Sequence, residues 1–308
     1  MRFADLQNRV IELVEIKENE EALRVMEEAK EKFPHKRDRL GHWKANIYVM
    51  EGKHEEGVAE LKEVLKHGLW WNPEILTSDQ ELSPLQTHPE FQSIVSQCHT
   101  IFENTKASAH TELTIQGHSE ADTVIFPLHW KGSNAKDFAE QWSDEKLVTK
   151  YLMGFPQSSQ LFSYQCYAWD DVAVAYNDVR KTYCEFTQRV DVSDKKQILA
   201  GASQGGSIAT QMSLSNDMEE FNFFIAVAPA FDIHSLKEIL QNQLNPNARG
   251  CIITGDQDPF YENALEAAQL FEDYQIPCKL IVNEGIGHEW PNEFPNVLEE
   301  AVRFVTKQ

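Results

Sequence analysis

The run Gly201-Ala202-Ser203-Gln204-Gly205-Gly206 constrains this chain more than any other feature. Apolar residues lead into it (Gln197-Ile198-Leu199-Ala200), and a helix-forming stretch from Ser207 to Leu214 follows. The pattern predicts a strand, a sharp turn and a helix, with a serine at the apex. Such a turn crowds the backbone, so small residues must flank it. It lifts the hydroxyl out of the sheet and sets a helix N-terminus beneath it. That is the setting of a nucleophilic serine. The alternative is a glycine turn at a helix start, with Ser203 only as N-cap. Two further sites favour the nucleophile.

Arg249 to Gly255 reads as a buried strand, and Asp256-Gln257-Asp258-Pro259-Phe260 follows at once. A carboxylate just past the C-terminal end of a strand lies at the sheet edge where open α/β sheets bind ligands. Asp258 is the expected acid and Asp256 the reserve. Cys278 to Asn283 is another strand, and the loop Glu284-Gly285-Ile286-Gly287-His288-Glu289-Trp290-Pro291 comes next. Its glycines let the loop carry the imidazole of His288 over the same edge. The three residue types answer one chemical need. A serine hydroxyl is a weak nucleophile and requires an adjacent base. Imidazole can take the proton and return it to a leaving group. A carboxylate fixes the imidazole tautomer. Backbone N–H groups are required where oxyanion charge develops, and the N–H of Gln204, directly after the serine, is one expected donor. The other is expected from the loop His129-Trp130-Lys131-Gly132-Ser133-Asn134, which follows the apolar strand Thr123 to Leu128.

These motifs resemble the phospholipase/carboxylesterase group of α/β-hydrolases, which includes acyl-protein thioesterases and is close to the dienelactone hydrolases. Gly201-x-Ser203-Gln204-Gly205-Gly206 is similar to the nucleophile turn of that group. Gly255-Asp256-Gln257-Asp258 is similar to its G-x-x-D acid turn, Gly285-x-Gly287-His288 to its histidine loop, and Leu128-His129-Trp130-Lys131-Gly132 to its L-H-G-x-G oxyanion loop. The chain order Ser, Asp, His is also that of the α/β-hydrolase topology. The resemblance spans roughly residues 120 to 305. It implies a Ser203–His288–Asp258 triad that cleaves an ester or thioester through an acyl-enzyme. It also implies that the N–H of Lys131 is the second oxyanion donor. Trp130 stands where the family has glycine, so it must keep ordinary backbone angles or turn its ring away. Trp130 and His129 are then expected at the substrate pocket. The dienelactone branch typically carries cysteine at the nucleophile position, where this chain has Ser203.

From Thr111 onward strands and helices alternate, which predicts a doubly wound, mostly parallel α/β sheet over residues 111–308. The expected elements include a strand at Thr111 to Gln116, a strand at Leu161 to Gln165, a helix at Asp171 to Phe186, a strand at Phe223 to Ala228 and a closing helix at Val297 to Val305. Residues 143–158 read as a longer loop able to cover part of the site. Residues 1–100 form a separate all-α region, with a linker at 101–110. Phe3, Leu6, Val10, Leu13 and Val14 recur at helical spacing, as do Ala22, Leu23, Met26 and Ala29. A second pair repeats this pattern with an offset of 35 residues, from Ala22 to Gly57 and from Pro34 to Leu69. That is close to the 34-residue period of tetratricopeptide repeats. Trp70 and Trp71 are expected as packing anchors between the two modules, and the helices as a support for the sheet, a cover for the site or a docking surface for a protein partner.

The formal net charge of −21 argues against nucleic acid and anionic membrane as partners. No apolar run reaches membrane-spanning length, and the first residues carry no signal-peptide core, so a cytoplasmic location is the expectation. The five cysteines have neither metal-ligand nor disulfide spacing. No phosphate loop or dinucleotide fingerprint is present, and neither cofactor nor metal is expected. A small-molecule ester or thioester is the expected substrate. A peptidase of the same fold, or an interaction protein built on the helical repeats, is the competing reading.

Overall fold

A computed structural model describes residues 3–215, 218–242 and 245–307. The chain divides into two compact units, Met1–Ser108 and Ala109–Gln308.

The first unit is helical: α1 (Phe3–Glu15), α2 (Asn19–Lys32), α3 (Arg37–Met50), α4 (His54–Lys66), α5 (Pro73–Ser78) and α6 (Pro89–Thr105). The hairpin α3–α4 restates the hairpin α1–α2 in the 35-residue register read from the sequence. Gly52 and Gly68 sit just beyond α3 and α4 with φ of 75° and 77°. They end the helices in the left-handed conformation that glycine adopts without strain. The apolar stripes of α1 to α3 meet in one cluster around Leu6, Met26 and Leu40, all fully buried. Trp70 and Trp71 are buried inside this unit: Trp70 packs 6.0 Å from Phe102, and the Trp71 indole donates to the Asp38 carbonyl. Residues 101–105, expected in a linker, are the last turn of α6, and Lys106–Ser108 continue as a 3₁₀ turn.

The second unit is built on a seven-stranded sheet. Its strands are β1 (Glu112–Gly117), β2 (Thr123–Leu128), β3 (Leu152–Gln157), β6 (Lys196–Ala202), β7 (Phe223–Val227), β8 (Arg249–Gly255) and β9 (Cys278–Asn283), in the order β1-β3-β2-β6-β7-β8-β9. β1 is antiparallel to β3, and every other pairing is parallel. A separate hairpin, β4 (Gln160–Ser163) with β5 (Cys166–Ala168), follows β3. The helices are α7 (Ala135–Gln141), α8 (Glu145–Lys150), α9 (Val172–Arg189), α10 (Gln204–Leu214), α11 (Ile233–Asn242), α12 (Tyr261–Asp273) and α13 (Phe294–Val305).

Side-chain alternation sorts these helices onto two faces. Ile198, Ala200 and Ala202 of β6 point into a cluster with Phe138 and Trp142 beside α7, and with Leu298, Ala301 and Val305 of α13. Leu199 points the other way, into a cluster with Val179 and Phe186 of α9 and Ile208 and Met212 of α10. Further along that second face, Phe224 and Ile252 pack on Leu236 of α11 and Phe271 of α12. Each fully buried Leu, Val or Phe here contributes roughly 1.5–3 kcal/mol.

Two expectations need correction. Residues 143–158 are not a loop: they hold α8 and β3, and β3 is completely buried. Gly154 and Pro156 give β3 the look of a loop, yet Gly154 has a reason to be there. A β-carbon on Gly154 would lie 2.8 Å from the rings of Phe126 and Phe186, so the position is reserved for glycine by packing. The strand expected at 161–165 does not join the central sheet. It is the first arm of the β4–β5 hairpin, with the turn at Tyr164-Gln165.

Gly250 provides a test of the second face. A β-carbon there would lie 1.9 Å from the Phe224 ring, which is fully buried. Gly250→Ala is expected to destabilise the protein by about 1–3 kcal/mol through overpacking. The urea midpoint should fall while the slope of the transition stays unchanged.

Candidate active site

The turn after β6 is as tight as its sequence requires. Ser203 has φ 51° and ψ −119°, a strained conformation for a residue with a side chain. A β-carbon on Gly201 would lie 2.4 Å from the carbonyl of Gly205, and one on Gly205 would lie 2.4 Å from the carbonyl oxygens of Leu128 and His129. Glycine at both positions lets the first turn of α10 press against the end of β2. Ser203 is also held by the sheet: its N–H donates to Val227, and its carbonyl accepts from Ala230.

The expected acid and base follow the C-terminal ends of β8 and β9. His288 Nε2 lies 2.9 Å from Ser203 Oγ, and His288 Nδ1 lies 2.9 Å from Asp258 Oδ2. The Asp258 side chain is completely buried, and its other oxygen accepts the N–H of Phe260 at 2.8 Å. A buried carboxylate bound at both oxygens has one orientation open to it, so it fixes the imidazole in turn. The His288 side chain remains about one-third exposed. Its loop closes over the end of β8, where Gly255 leaves room: a β-carbon there would lie 1.9 Å from the Ile286 carbonyl oxygen. That carbonyl accepts the N–H of Gln257 at 3.0 Å. Asp256, the reserve acid, accepts the N–H of Gly285 at 2.7 Å and so anchors the histidine loop. It has a bracing part beside Asp258.

The loop after β2 faces the same turn. Gly132 donates to the Tyr167 carbonyl at 2.8 Å, and Ser133 donates to the Trp130 carbonyl. Just before them, the N–H of Lys131 has no internal acceptor among the described residues. As the first residue of α10, Gln204 has an N–H with no acceptor inside the helix. Trp130 keeps an ordinary backbone conformation, and the left-handed residue of this loop is Gly132 at φ 81°. The half-buried Trp130 ring turns into an aromatic cluster, 5.1 Å from Phe138 and 6.3 Å from Trp290, both edge-on.

His129 departs from expectation. It is fully buried and cannot line an open pocket. Its Nδ1–H donates to the Trp130 carbonyl at 2.8 Å, while Nε2 accepts the N–H of Ser158 at 3.3 Å. Both bonds fit one neutral tautomer. Its ring packs 4.8 Å from Trp169, and burial pushes the imidazole down to about 4. His129 therefore braces the loop from beneath.

Trp169 and Asp170, which lie between β5 and α9, carry no local sequence signal. The Trp169 indole donates to the His129 carbonyl, and its main-chain N–H donates to Gln204 Oε1, both at 2.8 Å. Asp170 accepts from Lys131 Nζ and from Gln204 Nε2. Only Asp171, the N-cap of α9, left a readable signal in the sequence. The described residues contain no group of three or more His, Cys, Asp or Glu side chains placed to hold a metal ion. Nor is any described helix long and apolar enough to cross a membrane.

Comparison with known proteins agrees with this architecture. Residues 2–106 match the family described as "A/B hydrolase-like, N-terminal domain". No curated protein sequence matches the chain. Among solved structures, an uncharacterized protein from Bacillus cereus ATCC 10987 is 24% identical, with 99% of each chain covered and a TM-score of 0.52. Esterase PE8 is 16% identical, with 63% of this chain and 99% of its own covered, at a TM-score of 0.54. A ferulic acid esterase is 15% identical, with 64% and 98% covered, at a TM-score of 0.50. The chain has the α/β-hydrolase fold, preceded by a helical region.

Burial of His129 ties stability to pH. Its folded value of about 4 lies below the ordinary 6.5, so the unfolded chain binds more protons between the two. Its stabilising effect is complete above pH 6.5 and is lost as the pH falls toward 4. Between pH 7.5 and 5 the loss should be about 2 kcal/mol. Urea unfolding at the two pH values should show a smaller difference for His129→Asn, which does not titrate.

Proposed function

We propose that the chain is a serine hydrolase that cleaves a carboxylic ester or thioester through an acyl-enzyme. The observation that carries this reading is the continuous relay from Ser203 Oγ through His288 to the buried Asp258, with 2.9 Å at each link. On this reading Ser203 attacks the carbonyl carbon while His288 Nε2 accepts its proton. The imidazolium is stabilised by Asp258 and then protonates the leaving oxygen or sulfur. A water molecule, deprotonated by the same nitrogen, resolves the acyl-enzyme and frees Ser203. The N–H groups of Gln204 and Lys131 hold the oxyanion in both tetrahedral intermediates. The unpaired state of the Lys131 N–H and the position of Gln204 at the start of α10 support that role.

The aromatic rings nearby support an apolar acyl group. Phe260 lies 5.3 Å from the His288 ring, and Trp130 and Trp290, from the loops after β2 and β9, are half-buried 6.3 Å from each other. The esterases among the structural relatives support an ester over an amide as the preferred bond.

Treatment with a fluorophosphonate followed by peptide mass spectrometry should find the adduct on Ser203. An adduct elsewhere, or none on folded protein, would refute the reading. Ser203→Ala should lower kcat toward nitrophenyl esters by roughly 10⁴- to 10⁶-fold. Asp258→Asn should cost about 10⁴-fold, because the imidazole then adopts the wrong tautomer. Dipeptide amides assayed beside the esters test the preference: faster amide cleavage would mark a peptidase.

A further inference from the structure

We propose that Asp170 is a positioning residue that sets the distance between the two oxyanion donors. The inference rests on the hydrolase reading and adds a residue to it. The two donors belong to separate parts of the chain, Lys131 in the loop after β2 and Gln204 at the start of α10. No main-chain hydrogen bond among the described residues joins them directly. Their side chains, however, meet on one carboxylate. Lys131 Nζ lies 2.8 Å from Asp170 Oδ1 and 3.0 Å from Oδ2, and Gln204 Nε2 donates to Oδ1 at 2.8 Å.

The carboxylate is itself fixed. Trp169 donates its main-chain N–H to Gln204 Oε1 and its indole N–H to the His129 carbonyl. Gln204 thus bonds residues 169 and 170 with both ends of its amide, which determines the amide orientation. On one side, Tyr167 exchanges a pair of main-chain bonds with Gly132 and Ser133, both 2.8 Å. On the other, Gln160 bonds the main chain of Asp171 through both its oxygen and its nitrogen. The Lys131 ammonium also lies 5.0 Å above the Phe162 ring of the hairpin. The segment 167–171 is therefore a template stitched to the loop after β2, to the start of α10 and to the β4–β5 hairpin, and Asp170 contacts the side chains of both donors.

Stability does not explain the arrangement. The side chains of Lys131 and Asp170 are 44% and 54% exposed, and ion pairs so open to water contribute little to folding. A carboxylate holding two side chains matters more for the spacing of their main chains. Oxyanion donors act only when they meet the developing charge at hydrogen-bond distance, and a displacement of about 1 Å can cost 100-fold in rate.

The test is Asp170→Ala in the full chain, compared with wild type by four measurements: ester kcat and KM, inhibition by a trifluoromethyl ketone, fluorophosphonate labelling and thermal unfolding. The ketone forms a tetrahedral adduct whose oxyanion needs the same donors. Expected is a 10- to 100-fold fall in kcat with KM within about two-fold, a matching loss of ketone affinity, a Ser203 adduct as in wild type, and an unchanged unfolding midpoint. Asp170→Asn, which keeps an acceptor oxygen, should recover part of the loss. Adding Lys131→Met to Asp170→Ala should cost less than the two single effects combined, since both break one link. Unchanged kcat and ketone affinity in folded Asp170→Ala would overturn the inference while leaving the hydrolase reading intact. A fall in kcat that only follows a lowered unfolding midpoint would overturn it too. Absence of a Ser203 adduct and of ester cleavage in wild type would remove both.

Discussion

The second unit is organised around the close contact between the turn at Ser203 and the end of β2. Gly201 and Gly205 touch each other, and Gly205 also touches the carbonyls of Leu128 and His129. Any side chain at either glycine would drive the start of α10 away from the sheet. The strain at Ser203, of order 1–3 kcal/mol, is borne because Val227 at the end of β7 and Ala230 just beyond it hold the residue through main-chain bonds. Remove that contact and the hydroxyl, the helix N-terminus and the loop after β2 would no longer share one edge.

Everything else proposed for catalysis arrives at this edge by the same rule. β8 and β9 are parallel to β6, so their C-terminal ends deliver Asp258 and the histidine loop to the same rim. Gly255 repeats the device of Gly205, a missing side chain that lets another segment cross at van der Waals distance. Two acidic residues two apart then divide the labour. Asp258 faces the imidazole, while Asp256 holds the loop that carries it. The opposite end of the sheet has a different character. Cys251, deep in β8, has its thiol pushed up to about 12 by burial, which makes it an inert part of the core.

How much of this was legible follows from how local each signal is. Ser203, Asp258 and His288 each close a strand with a glycine-bearing turn, and such patterns are complete within a few residues. The 35-residue register of the helical hairpins was legible for the same reason, since apolar stripes and helix-ending glycines repeat along the chain. β3 was hidden because its glycine and proline look like loop punctuation, and only the rings of Phe126 and Phe186, distant in sequence, explain the glycine. His129 was placed at a pocket by motif position. Its burial depends on Trp169 and Ser158, which no local pattern links to it. Asp170 was invisible for a similar reason. A surface aspartate before a helix is common, and the role proposed for it rests on two partners 39 and 34 residues away.

The main-chain bonds from Ser203 to β7 and to Ala230 have a mechanical consequence. They tie the main chain beneath the hydroxyl to the sheet, so on the proposed reading its bearing toward a substrate carbonyl is inherited from the parallel strands. On that reading, adaptation to differently shaped molecules falls to segments outside the central sheet, such as the β4–β5 hairpin and the loop of Trp290. A lineage of such chains could trade one clientele for another by rewriting those segments, while the fixed axis of attack passed down unaltered.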